Sequence, residues 1–216
     1  MRQQGSGLNM SFLHVAAIGA MTAISVTSVA CSSSSSPVVD AAGTDALVTF
    51  DGVRVDGAVD GPTSTFTLTS PALTEGGVIP VKHSCRGTNV SPPLAWTAAT
   101  GQGYALVVTD KSIAGGFVHS AMWDIPKTTQ ALDENIAKIA EPPVPAGAKQ
   151  PLAYDNQTRG YLGPCPPSQH TYEFALYAVS ALPLPGLTLQ SNRAAVVAAV
   201  MANQTAVTKM TGTFTP

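Results

Sequence analysis

From Phe66 onward the chain is a series of short apolar runs broken by glycine and proline. Phe66-Thr67-Leu68-Thr69 alternates apolar and polar positions as a half-buried strand does, and Tyr104 to Thr109 is a short continuous apolar run of the kind found in packed sheets. Phe117 to Asp124 and Tyr172 to Val179 follow the same pattern, and glycine-proline clusters at 61–62 and 163–167 mark turns between such runs. Two stretches carry helical spacing instead. Leu132, Ile136 and Ile139 share a face within Thr128 to Ala140; Val196, Val197, Val200 and Met201 share one within Arg193 to Asn203, with Ser191 or Asn192 placed to cap it. The prediction is a mainly β domain with two helices and no internal repeat.

Composition supports that reading and narrows the function. The 216 residues are 44% hydrophobic and 11% charged, enough apolar material for a core, and the 19 glycines and 17 prolines favour many turns over long helices. Eleven basic against thirteen acidic residues leave a net charge of −2. No run of Lys or Arg offers the positive stripe that nucleic acid needs, so that class of partner is excluded.

The first thirty residues have a different character. Arg2 is the only charge ahead of an uncharged apolar stretch from Phe12 to Ala30, which closes on the small residues Ser28-Val29-Ala30 before Cys31. This is the layout of a secretory signal; His14 and the Ser and Thr residues after position 21 weaken the alternative of a retained membrane anchor. A cysteine just after Ser-Val-Ala also resembles the lipobox of bacterial lipoproteins, although leucine is usual where Ser28 stands. Ser32 to Ser36 would then serve as a polar tether. The two destinations are a lipid-anchored protein on the periplasmic side of the cell envelope and a freely secreted one. The domain boundaries that follow are a signal peptide over 1–30, a Ser-rich linker from Cys31 over 31–62, and a folded domain over 63–216.

Three cysteines leave one odd, and acylation of Cys31 would remove it from the count. Cys85 and Cys165, both in turn-like sequence, then remain either as a disulfide or as two separate thiols.

Four polar residues sit where strand geometry can gather them. His170 and Tyr172 are two apart at the start of a strand and project from one face. His119 lies inside the run from Phe117, and Asp110 lies just past the end of the Tyr104 strand. Neither a His-Glu-x-x-His spacing nor a Gly-x-Ser-x-Gly elbow accompanies them, so the expectation is a binding pocket without cofactor, metal or catalysis. A histidine of pKa ~6.5, a tyrosine hydroxyl and loop amides suit an anion.

These residues also carry a resemblance that covers Phe66 to Pro216. The order Ser70-Pro71-Ala72, Gly76-Gly77, Ile79-Pro80, then Asn89-Val90-Ser91-Pro92-Pro93-Leu94-Ala95-Trp96, Asp110, His119, Asp124-Ile125-Pro126, Tyr161-Leu162-Gly163-Pro164-Cys165-Pro166-Pro167 and His170-Thr171-Tyr172 resembles the phosphatidylethanolamine-binding protein family, the Raf kinase inhibitor-like proteins, in a bacterial form. The resemblance implies a β-sandwich of two antiparallel-rich sheets with a C-terminal helix and a short connecting helix. It also implies an anion pocket for a phosphate or phospholipid headgroup, formed by Asp110, His119, His170 and Tyr172 with Pro164 in its wall. Two positions depart from the family pattern: Ser112 stands where a second aspartate is usual, and Ser120 where an aromatic residue commonly follows the pocket histidine. Some relatives act on protein partners through loops around this pocket, so an inhibitor of an envelope partner such as a protease is the alternative function.

Overall fold

The computed structural model describes residues 65–216; the predicted signal of 1–30, Cys31 and the linker of 31–62 lie outside the described residues. The described part has two antiparallel sheets packed face to face. The smaller has the order β1-β2-β5, with β1 at Leu68–Thr69, β2 at Leu94–Trp96 and β5 at Ala131–Leu132. The larger has the order β4-β3-β6-β7, with β3 at Gly103–Asp110, β4 at Phe117–Pro126, β6 at His170–Val179 and β7 at Gln204–Phe214.

The nearly unbroken apolar runs of β3 and β6 are explained by burial on both faces. Tyr104 and Val108 of β3, with Phe174 and Leu176 of β6, point toward Leu68, Leu94, Trp96 and Leu132 of the smaller sheet. The alternate positions Ala105, Val107, Ala175, Tyr177 and Val179 point the other way and pack beneath a single α-helix, α1, at Arg193–Asn203. Val196 and Val200 of α1 have no exposed surface, which contributes about 1.5–3 kcal/mol for each side chain.

Helix α1 forms over the range its periodicity predicts. The Asn192 side chain accepts from the Ala195 amide at 2.9 Å and so caps the first turn. The helix stops because its last carbonyl, on Asn203, is taken by the amide and hydroxyl of Ser180 at the end of β6, after which Gln204 turns extended and pairs with Val179. The helix is therefore followed by an eleven-residue strand and is not the last element of the chain.

The helix expected over Thr128 to Ala140 does not form. Asn135 adopts a left-handed φ of 65°, and the amides of Asn135 and Ile136 donate to the carbonyl and hydroxyl of Ser91 instead of to an earlier turn. Leu132 and Ile136 are buried all the same, the first on β5, whereas Ile139 is half exposed. The short helical connection is instead a 3-10 turn at Val81–His83.

Candidate functional site

Antiparallel pairing places the end of β3 beside the beginnings of β4 and β6. Asp110 is opposite Phe117 on one side and Tyr172 on the other, so three strands deliver polar residues to one end of the larger sheet. A cavity of about 130 Å³ opens there, lined by Asp110, His119, His170 and Tyr172 together with Tyr154 and Phe117.

Strand alternation alone would aim His119 elsewhere. Met122 and Ser120 face the sandwich interior, which would turn position 119 toward the helix side. The β3–β4 register, however, pairs Val108 with Ser120 and Thr109 with Val118, leaving His119 as the extra residue of a β-bulge. The bulge re-aims the imidazole, whose ring centre lies 5.2 Å from that of Tyr172 in an edge-on arrangement. Ser120 stays buried in the sandwich interior and takes no part in the pocket.

The two imidazoles are each held through Nδ1, which leaves the other ring nitrogen for the cavity. Asp110, only 2% exposed, accepts the Ser112 amide at 2.9 Å through Oδ1, and its Oδ2 lies 2.6 Å from His170 Nδ1. That carboxylate fixes the His170 ring with Nδ1 as donor and leaves Nε2 without a partner among the described residues. His119 is arranged in parallel, with Nδ1 at 3.3 Å from the Leu162 carbonyl. Burial pushes the His119 imidazole below its ordinary pKa, partly opposed by that carbonyl and by the charge of Asp110. The Tyr172 hydroxyl is buried and makes no hydrogen bond of normal geometry among the described residues; burial, then the charge and closeness of the Asp110 carboxylate, push its phenol well up. A neutral, unpaired hydroxyl between two imidazoles is a donor waiting for an acceptor.

The far wall comes from the segment 161–167, which is stitched to residues 83–89. The disulfide between Cys85 and Cys165 is formed, with a Cα separation of 5.3 Å. Beside it the Cys85 amide donates to the Pro164 carbonyl, the Tyr161 hydroxyl donates to the His83 carbonyl at 2.7 Å, and the Gly163 amide donates to Asn89 Oδ1 at 2.8 Å. Gly163 has to be glycine, because a Cβ there would sit 1.9 Å from the His83 carbonyl oxygen. The stitched segment presents Cys165, Pro166 and Pro167 to the cavity. Pro164, expected in the wall, is buried one position back, and the lining is given by its neighbours Cys165, Pro166 and Pro167.

Of the expected residues, Asp110, His119, His170 and Tyr172 are thus brought together, and Cys31 lies outside the described residues. Tyr154 was not anticipated. Its ring centre is 4.4 Å from that of His119, and its amide donates to the His119 carbonyl. The only trace of it in sequence is an aromatic residue within the polar stretch Tyr154-Asp155-Asn156-Gln157. At Ser112, where a second acid was missing, the amide serves Asp110 and the hydroxyl accepts from the Thr171 amide at 2.9 Å, tying the β3–β4 loop to β6.

Comparison with known proteins agrees with this architecture. The model of the family described as phosphatidylethanolamine-binding protein matches residues 69–215. The chain is 34% identical over 154 residues to a Mycobacterium tuberculosis protein named as the lipoprotein LppC, covering 68% of this chain and 71% of that one. It is 36% identical over 119 residues to a UPF0098 protein of Methanothermobacter thermautotrophicus, covering 53% and 77%. Among solved structures, E. coli YbcL, described as a member of the mammalian PEBP family, superposes with a TM-score of 0.63 at 27% identity, over 70% of this chain and 98% of that one. A homologue from Chlamydia trachomatis superposes with a TM-score of 0.60 at 24% identity, over 71% and 99%, and shares the fold.

Proposed function

The chain belongs to the phosphatidylethanolamine-binding protein family, and from that premise we propose that it binds a phosphate-containing small ligand, a free phosphate ester or a phospholipid headgroup, without transforming it. The observation that carries this reading is the unpartnered Tyr172 hydroxyl between two imidazoles whose Nδ1 atoms are already committed. Two Nε2 positions and one hydroxyl are then left over, among the described residues, on side chains that line a single cavity, which suits the several acceptor oxygens of a phosphoryl group. A cavity of about 130 Å³ has room for a small headgroup but not for acyl chains. Asp110 accepts from the Ser112 amide and pairs with His170, and its charge favours the protonated form of His119 that an anion would meet. The sulfur of Cys165 in the wall is tied up in the disulfide and offers no nucleophile.

Binding should be linked to proton uptake. Burial holds free His119 below its ordinary pKa, and an anion against Nε2 would raise it, so the complex carries more protons than the free protein between those two values. Affinity is therefore full below the free-state pKa, falls as pH rises through the window, and levels off above the bound-state value. Titration of glycerophosphoethanolamine, whose phosphodiester does not change charge from pH 5 to 8, is expected to show affinity dropping toward pH 8; pH-independent binding would contradict the reading. Inorganic phosphate as a second probe separates free phosphate from headgroup preference, and 31P spectra of the recovered ligand test whether it leaves unchanged.

The same proposal places the domain outside the cytoplasm, tethered through Cys31. It is supported by the Phe12 to Cys31 pattern and by a relative named as a lipoprotein. Metabolic labelling with palmitate should mark the parent and not Cys31→Ser; equal labelling of both would remove Cys31 as the acylated residue.

A further inference from the structure

A second and larger cavity, of about 380 Å³, lies on the other side of Phe117, between the segment 152–159 and the start of α1. Two arginines, Arg159 and Arg193, line it, and no acidic residue does. Among the described residues neither guanidinium has a carboxylate within 4 Å. The acid whose charge reaches Arg193, Asp155, is turned into its own loop and accepts from the Gln157 and Thr158 amides and the Thr158 hydroxyl.

Both guanidiniums are held through one nitrogen. Nη1 of Arg159 donates to the Gln150 and Leu189 carbonyls at 3.1 and 2.9 Å. Nη1 of Arg193 donates to the Leu152 carbonyl at 2.9 Å and also to the Ala153 carbonyl. Among the described residues Nε and Nη2 of each have no protein acceptor, so both arginines that line the cavity keep donors to spare. Two half-buried guanidiniums without a carboxylate partner on one cavity wall favour an anion there. Leu152, Leu189, Phe117 and Val118 give one part of the wall an apolar surface, beside the polar side chains of Asn156, Gln190, Ser191 and Asn192.

We propose that this cavity is a second anion site, separate from the histidine pocket, which takes a phosphate monoester carrying a compact apolar group. A dianion with three oxygens matches two guanidinium forks, whereas a carboxylate would satisfy one. The volume is at the lower end of the range for small-ligand pockets, enough for a phosphoryl group and a ring. Arg193 also acts electrostatically on His119, lowering its pKa, so a dianion here would ease protonation in the neighbouring pocket.

Titration of the full chain with phenyl phosphate, followed by 15N NMR, tests this directly. The Nε–H signals of Arg159 and Arg193 and the amides of 189–194 are expected to shift saturably, with phenol producing no such shift. Ala194→Glu places a carboxylate into the cavity without removing any existing hydrogen bond, at a first-turn position where an acid favours the helix. It is expected to weaken binding by roughly tenfold or more with the melting temperature retained. His170→Gln should leave these particular shifts as they are. The proposal is overturned if nothing saturates at these positions by about 10 mM ligand, if only the histidine pocket responds, or if Ala194→Glu binds phenyl phosphate as the parent does.

Discussion

Replacing both pocket histidines, as His119→Gln with His170→Gln, is expected to weaken binding of glycerophosphoethanolamine by at least about a hundredfold at pH 6. Each imidazole would contribute one charge-assisted hydrogen bond to the phosphoryl group, worth roughly 1.5–3 kcal/mol, and together about 3–6 kcal/mol. Glutamine is chosen because it preserves the contacts that hold the rings. An amide N–H can still donate to the Leu162 carbonyl and to the Asp110 carboxylate, so neither acceptor is left buried without a partner. What disappears is the ability to carry a proton toward the ligand. Calorimetric titration of a folded double variant that binds within about threefold of the parent would show that the imidazoles do not form the anion site. The pH dependence should vanish together with the affinity, because the same protons carry both.

Removing the disulfide, as Cys85→Ser with Cys165→Ser, is expected to cost about 4 kcal/mol of stability. The bond joins positions 80 residues apart, and releasing so long a loop returns a large chain entropy to the unfolded state. For a domain of this size the melting temperature should fall by about 8–16 °C. The domain should still fold, since the Tyr161, Gly163 and Cys85 hydrogen bonds continue to join the same two segments. Affinity should drop as well, because that segment carries both the Leu162 carbonyl that orients His119 and the Pro166-Pro167 wall. A melting temperature within about 2 °C of the parent would mean that packing alone positions the loop.

Both expectations rest on features of different legibility. Strands β3, β4 and β6 and helix α1 could be read along the chain, because each has a local period that survives into the fold, and in α1 the cap at Asn192 does too. β7 escaped notice although it is eleven residues long. It is an edge strand in which Met210 and Phe214 alternate with threonines over a half-exposed face, which gives little hydrophobic signal. The stretch from Thr128 failed for the opposite reason, since its helical spacing is real but its amides find better acceptors on Ser91. Tyr154 and Arg193 had no signal as site residues; each reaches its cavity only because distant segments fold over it.

Sequence by itself determined the mainly β class, the capped helix, the polar quartet and the order of motifs that marks the family. These depend on short-range periodicity or on residue identity, which the chain carries wherever it goes. Only the tertiary structure decided where the quartet points. A one-residue bulge turns His119 from the helix side to the pocket, and the antiparallel register sets Asp110 between Phe117 and Tyr172. It likewise decided that Cys85 and Cys165 lie close enough to bridge, and that Pro166 and Pro167 line the wall in place of Pro164. The β3–β6 register and the docking of 161–167 join residues 40 to 80 apart, and the bulge depends on which residue of the β3–β4 pair is skipped, so no hydrophobic period encodes them.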